Sequence, residues 1–400
     1  MADGPKLTLL GKLFIFLFVA ACLAGAFYRF GKTAGIRWPF GGSGAGTAGV
    51  AVNPSGAAVQ IGIAYGTEKK RWLEWAVGEF ANTSQGRDIG INLIPMGSLD
   101  GARAVLAGDQ RINVWSPASS LYKESFVTDW QLKYNTNPIV REEPLALTPM
   151  VFVMWEERYV EFVKKYQKLS FATIAEAQQQ KGGWEAIAAK PEWGFFKFGH
   201  TQPNQSNSGV MTLVLAAYSY SGKARDLTLK DIVNVQFQEW LEKLERGVAG
   251  TSDSTGNMMR EMVLKGPSSY DTLLVYESVA MDYLRNAEGR WGQLRVVYPE
   301  YNAWNDTPYY ILNATWSSPE QRKAAQAFLD FLLSERVQKE SLIHGFRPGN
   351  PSVPVKFPGS PFVQFAKYGV QIDVGRICEP PRAEVVNNLL TSWQRTQAGR

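Results

Sequence analysis

Gly199-His-Thr-Gln-Pro-Asn-Gln-Ser-Asn-Ser-Gly209 separates a short β-rich run from an apolar, helix-patterned stretch over residues 210–220. The same arrangement recurs three times upstream. Residues 61–65 run into Gly66-Thr67-Glu68, residues 91–96 into Gly97-Ser98, and residues 112–115 into Ser116-Pro117-Ala118-Ser119-Ser120. Strands that end in small-residue turns and feed helices give a parallel sheet covered on both faces. They also gather helix N-termini, with unpaired N–H groups and partial positive charge, at one end of the sheet. Several such termini aimed at one crevice form a site for an anionic or polar solute.

Working outward, residues 59–148 read as the first part of a lobe and 149–298 as a second lobe. The chain then returns to the first lobe over 299–400. Residues 67–82 follow helical spacing, with Trp72, Trp75, Ala76, Glu79 and Phe80 on successive turns. Ser98 is read as the cap of the next helix, and Ser116 as a cap followed by Pro117 in the first turn. In the second lobe, residues 193–198 read as a strand and 231–245 as one amphipathic helix. Crossings near 147–152 and 299–309 make a two-strand hinge. The expected fold class is therefore α/β with two lobes.

Composition sets the outer limits. The 400 residues are 45% hydrophobic and 20% charged, which is that of a folded chain able to bury sizeable cores. The net charge of +5 is spread along the chain without a dense basic block, so no nucleic-acid partner is indicated. Cys22 and Cys378 lie at opposite ends and are not expected to pair. The two cysteines and two histidines, His200 and His344, are not read as a Cys/His zinc site. No P-loop, dinucleotide fingerprint, nucleophile elbow or zincin motif is present. No cofactor, metal or catalytic residue is expected, and the chain is not read as an enzyme.

Residues 13–28 are uncharged and apolar, preceded by Lys6 and Lys12 and followed by Arg29, Lys32 and Arg37. This length is read as an uncleaved signal anchor, a transmembrane helix that leaves the rest of the chain facing the periplasm or cell exterior. Val19-Ala-Ala-Cys22 fits a lipoprotein box, so a lipidated Cys22 and simple cleavage are the other outcomes. Residues 41–58 begin Gly41-Gly-Ser-Gly-Ala-Gly-Thr-Ala-Gly49 and read as a flexible linker with a reach of roughly 20–25 Å.

Ligands of open α/β sheets lie outside the carboxyl ends of strands. That rule selects Tyr65, Gly66 and Thr67; Gly97 and Ser98; Ser116, Ser119 and Ser120; Ser206, Asn207, Ser208 and Gly209; and Tyr276 with Glu277. Glycines admit a ligand to the backbone, and hydroxyls and amides bind it without a counter-charge. Glu277 opposes an anion; it either meets an amine or sugar hydroxyls, or pairs with an Arg or Lys. Each loop alone is also compatible with ordinary capping. Trp72, Trp75, Trp115 and Trp304 are read as packing residues, and His200 as shaping its turn.

Val114-Trp-Ser-Pro-Ala-Ser-Ser120 and the 200–209 loop resemble segments of the type II periplasmic, or extracellular, solute-binding proteins. Ser254-Thr-Gly256, Tyr276-Glu277, Tyr298-Pro-Glu300 and Gly345-Phe-Arg-Pro348 fall in the order that the resemblance implies. The resemblance covers about residues 59–395. It implies a Venus-flytrap architecture, a small-molecule ligand in the interlobe cleft and delivery to an ABC permease. Related loops serve molybdate-, sulfate- and phosphate-type receptors, so an oxyanion is the favoured ligand class. The subgroup includes proteins without an established ligand, some fused to von Willebrand A domains; no such domain is read here. The alternative is an anchored sensor, or a module that engages another membrane protein, with no transport role.

Overall fold

The computed structural model describes residues 50–52, 57–287 and 289–398. The proposed anchor and most of the Gly-rich linker lie outside these residues. No helix among the described residues is long and apolar enough to cross a membrane.

The first lobe is built on β1 (Val50–Val52), β2 (Val59–Tyr65), β3 (Ile89–Pro95), β4 (Val114–Ser116) and β5 (Ile139–Pro144). The second begins with β6 (Ala146–Trp155), then β7 (Phe198–Gly199), β8 (Val248–Gly250), β9 (Thr272–Tyr276) and β10 (Leu294–Val297). The return path holds β11 (Tyr301–Asn302), β12 (Trp304–Asn305), β13 (Pro308–Leu312), β14 (Arg347–Pro348) and β15 (Arg376–Ile377). The first sheet has the order β1-β3-β2-β4-β13-β5, with β3, β2 and β4 parallel. β1, β13 and β5 are antiparallel to their neighbours. The second sheet runs β10-β6-β9-β7-β8. β1 corrects the linker reading: Val50-Ala51-Val52 adds an edge strand onto β3.

In the first lobe, Ile61, Ile63, Leu93, Val114 and Ile311 are buried beneath the helices Lys70–Ala81 and Pro319–Leu332. Trp72 and Phe80 come from the first helix, and Phe328 from the second stacks its ring 5.2 Å from Phe80. These apolar positions recur every three or four residues, so each helix buries one stripe. In the second lobe the Asn207–Ser221 helix is buried almost all round, as its near-continuous apolar run requires.

β6 and the 301–308 segment join the lobes. β12 pairs antiparallel with β6 through Trp304↔Pro149 and Asn305↔Thr148. Pro149 offers no N–H, and the ladder is supplemented by side chains. Asn302 Oδ1 accepts from the Met150 amide at 3.0 Å, and its Nδ2 donates to the Met150 carbonyl at 2.7 Å. Asn305 Nδ2 donates to the Thr148 carbonyl at 3.1 Å, and Thr307 Oγ1 donates to the Ala146 carbonyl at 2.7 Å. All three side chains are fully buried, so the crossing backbone keeps partners where regular pairing stops. Thr307 sits at φ 38°, placing backbone strain at this crossing.

Several local readings need correction. Residues 231–245 form two helices, Leu229–Ile232 and Val235–Arg246, because Asn234 caps the second by accepting from the Phe237 amide. Residues 191–193 form a single 3₁₀ turn, and the strand is confined to Phe198–Gly199.

Candidate functional site

The first lobe presents three turns at the carboxyl ends of β2, β3 and β4. Gly66 precedes a 3₁₀ turn (Thr67–Lys69) that runs into the Lys70–Ala81 helix, and its amide donates to the Ser116 carbonyl at 3.0 Å. Gly97, not Ser98, is the N-cap of the Ser98–Leu106 helix. Ser98 Oγ instead accepts from the Ala118 amide at 3.0 Å, tying the second turn to the third. Ser116 is likewise the last strand residue rather than a cap. Ser119 takes that role, its Oγ accepting from the Leu121 amide at 3.2 Å. A serine-rich turn offers several equivalent caps, and the strand pairing Tyr65↔Ser116 decides among them. Thr67 is exposed. The Ser120 amide is taken by Asp306 Oδ1 at 2.7 Å, on the hinge side of the loop.

In the second lobe the 199–209 loop ends at Ser206, the N-cap of Asn207–Ser221. Ser208 Oγ lies 2.6 Å from both Thr201 Oγ1 and Thr255 Oγ1, and 3.2 Å from Ser206 Oγ. Gly209 allows this tight loop: a methyl group there would stand 2.3 Å from the Thr201 carbonyl oxygen. Asn207 Nδ2 donates to Tyr276 Oη at 2.9 Å and to Asn305 Oδ1 at 2.8 Å. One buried amide therefore links the 199–209 loop, the end of β9 and the hinge.

The two sets of turns touch. A methyl at Gly97 would lie 2.8 Å from the Gln205 carbonyl oxygen, so only glycine allows this approach between the lobes. Further out, Arg71 of the first lobe meets Asp282 of the second at 3.2 Å. Gly66, Gly97 and Ser206 provide no side-chain cap bond to their helices, which leaves N-terminal amides for another acceptor. Tyr65 Oη, Ser116 Oγ and Asn207 Oδ1 are buried without a partner among the described residues. Buried polar atoms of this kind are uncommon in folded proteins.

Two charged residues missing from the sequence selection stand beside these turns. Lys69 is fully buried, and its Nζ donates to Glu68 Oε1 at 2.7 Å and to the Pro117 carbonyl at 3.0 Å. Burial pushes the Lys69 ammonium below the ordinary lysine range, and the Glu68 and Asp306 carboxylates oppose that shift. Burial, and after it the Glu68 carboxylate, raises the phenols of Tyr122 and Tyr276 above their ordinary value. Burial raises Tyr65 as well, helped by Glu74 and then Glu68. The phenols stay protonated, and the Tyr276 oxygen accepts from Asn207 Nδ2.

Glu277 is fully buried in an ion pair. Its two carboxylate oxygens accept from Arg347 Nε and Nη2, each at 2.8 Å, and Tyr298 Oη also donates to it. His200 is buried, with Nδ1 2.8 Å from the Thr201 carbonyl and Nε2 3.1 Å from Glu245 Oε1. Trp72 and Trp115 are core residues; Trp115 lies 4.7 Å from Phe126 and 5.3 Å from Tyr310 between ring centroids. Cys378 is a buried free thiol, and Cys22 lies outside the described residues. No group of three or more His, Cys, Asp or Glu among the described residues could hold a metal ion.

The fold recurs in solved structures. The sulfate-binding protein SubI from Mycobacterium tuberculosis H37Rv is 16% identical with a TM-score of 0.52, covering 80% of this chain and 93% of its own. The ferric binding protein from Campylobacter jejuni is 12% identical at 0.57, covering 84% and 99%. The maltose-bound T. maritima MalE3 is 14% identical at 0.56, covering 85% and 94%. At these identities the likeness is one of fold, two mixed α/β lobes, and carries no ligand. No curated protein sequence matches the chain. The model of the bacterial extracellular solute-binding proteins matches residues 61–347, well over half of the sequence. With paired α/β lobes whose strand-end turns meet, the chain belongs to the bacterial extracellular solute-binding protein family.

Proposed function

We propose that this chain is an extracytoplasmic receptor, held at the membrane by its N-terminal segment, that clasps a small polar solute between its lobes for an ABC-type importer. The observation that carries the reading is the meeting of strand-end turns from both lobes around buried, unpartnered polar atoms. The contacting groups are Tyr65, Gly66 and Thr67, Gly97 and Ser98, and Ser116 and Ser119 of one lobe. Ser206, Asn207, Ser208, Gly209 and Tyr276 serve from the other. Glu277 drops out because its carboxylate is taken by Arg347, and Ser120 keeps only its hydroxyl for a ligand because Asp306 takes its amide.

An oxyanion remains the favoured class, since the helix N-termini at Gly97 and Ser206 lack side-chain caps and supply amide donors. Glu68 narrows the choice. A carboxylate beside the turns repels a dianion, whereas a singly charged oxyanion that keeps a proton donates a hydrogen bond to it. A thermal-shift screen of oxyanions, sugars, amino acids and polyamines tests this reading. The expected result is stabilisation by a monoanion, growing with its concentration as mass action requires. No stabiliser anywhere in the panel would contradict the receptor role and favour an anchored interaction module.

A further inference from the structure

A hollow of about 650 Å³ lies on the hinge side of the 116–120 loop, within the size range of small-molecule sites. Its floor is one face of the first sheet. Tyr310 of β13 stands directly opposite Glu142 of β5 and opposite Trp115 of β4, so the three share that face. The Lys123–Tyr134 helix forms one wall, through Lys123, Glu124 and Val127. Asp306 of the hinge and the strap Pro380-Pro381-Arg382 complete it.

The strap is fastened to both lobes. The Glu379 amide donates to the Ala224 carbonyl of the second lobe at 2.9 Å, and the Ala383 amide to Glu124 Oε2 of the first at 2.9 Å. The hollow therefore sits where the hinge and both lobes converge.

Its charge is lopsided. Glu124, Glu142 and Asp306 face only Lys123 and Arg382 among the lining residues, while Glu143, next along β5, carries its carboxylate to the other face. Lys123 pairs with Glu142 at 2.5 Å, and Arg382 approaches Glu124 at 3.8 Å. Glu143 meets Arg141, which does not line the hollow, at 3.4 Å. Asp306 accepts from the Ser120 amide, with no cation within ion-pair reach among the described residues. An independent feature points the same way. Tyr310 is only 1% exposed, yet its hydroxyl has no partner among the described residues. A buried hydroxyl ordinarily finds one. Burial, and after it Asp306 and Glu142, pushes this phenol above its ordinary range, so its nearest charges are carboxylates of the hollow.

We propose that this hinge-side hollow is a second ligand site, for a small organic cation: an amine or guanidinium on an apolar stem. The cationic N–H groups donate to Asp306, Glu142 and the Tyr310 oxygen, while the stem lies along Pro308, Pro144 and Leu121. An anion is turned away by the excess of carboxylates. The site differs in charge preference from the strand-end site, and its existence does not depend on what that site binds.

Calorimetric titration of the full chain with 2-phenylethylamine at neutral pH, against 2-phenylethanol as the uncharged control, tests the proposal. Saturable binding is expected for the amine and none for the alcohol. Glu142→Gln and Tyr310→Phe are each expected to weaken the amine about tenfold, the scale of a hydrogen bond to a charged group. Tyr310→Phe removes a hydroxyl that holds nothing in the protein, so thermal unfolding should be unchanged and the loss belongs to the ligand. Hydrogen exchange should show amine-dependent protection over residues 120–124 and 308–310. Equal heats for amine and alcohol, no saturable heat with the amine, unaltered affinity in both variants, or protection confined to residues 206–209 would each overturn the assignment.

Discussion

Two of the buried carboxylate–cation pairs among the described residues follow directly after strands, one in each lobe, and they are built differently. Glu277, after β9, is gripped by both arms of the Arg347 guanidinium and by Tyr298, and Arg347 also donates to the carbonyls of Gln371 and Ile372. Glu68, after β2, meets the single ammonium of its neighbour Lys69, whose one other contact is the Pro117 carbonyl. The planar fork satisfies a carboxylate geometrically, whereas an ammonium is a point charge with donors to spare. The first pair is therefore closed to a newcomer and holds structure. The second leaves hydrogen-bonding capacity free at the turns where we propose that the solute binds.

The largest expected effect is structural. Glu277→Gln leaves the Arg347 charge buried and unpaired, which costs about 3–5 kcal/mol in urea-unfolding experiments. A loss below about 1 kcal/mol would erase the distinction between the pairs. Next comes binding. Ser208→Ala with Thr67→Val, which removes one hydroxyl from each lobe, should lower affinity for the stabilising solute about tenfold and cost about 1–3 kcal/mol in unfolding, because Thr201 and Thr255 lose their shared partner. Unchanged affinity would move the site elsewhere.

Glu68→Gln should act mainly on selectivity, raising affinity for a dianion such as sulfate several-fold on the scale of about 1 kcal/mol, read by calorimetry. It should also deepen the depression of Lys69. Because the folded state holds that ammonium below its ordinary value of 10.5, the unfolded chain binds more protons between the two values, and stability rises with pH across that window. Removing Glu68 should extend the window to lower pH. A Lys69→Met variant should lack the slope altogether, as pH-dependent unfolding would record. The smallest effect is expected at the rim. Arg71→Ala breaks an exposed contact with Asp282 and should cost no more than about 1 kcal/mol, less at high salt.

Much of this was legible in the sequence because strand, small-residue turn and helix repeat with strong periodicity. The 61–65, 91–96 and 112–115 runs do become the parallel core of the first sheet. Other features depend on contacts distant in sequence. Ser116 and Ser119 look equally able to cap, and only pairing with Tyr65 makes Ser116 a strand residue. Ser98 reads as a cap until Ala118, 20 residues on, claims its hydroxyl. β5 carries Arg141-Glu142-Glu143, an exposed edge pattern that resembles a loop. Glu68 and Lys69, charges in a first helical turn, read as ordinary surface, although Lys69 is completely buried. Glu277 was recognised as an awkward neighbour for an anion, but its arginine lies 70 residues away. The hinge asparagines fall within the crossing expected at 299–309, while their role depends on β6, some 150 residues earlier.

The clasp itself is tested most directly by hydrogen exchange of the full chain with and without the solute that the screen finds. The account predicts that amides at 66–69, 97–99, 116 and 118–119 of the first lobe and 206–209 of the second gain protection together, with the same concentration dependence. Protection limited to one lobe, or arising only at a remote surface, would contradict it.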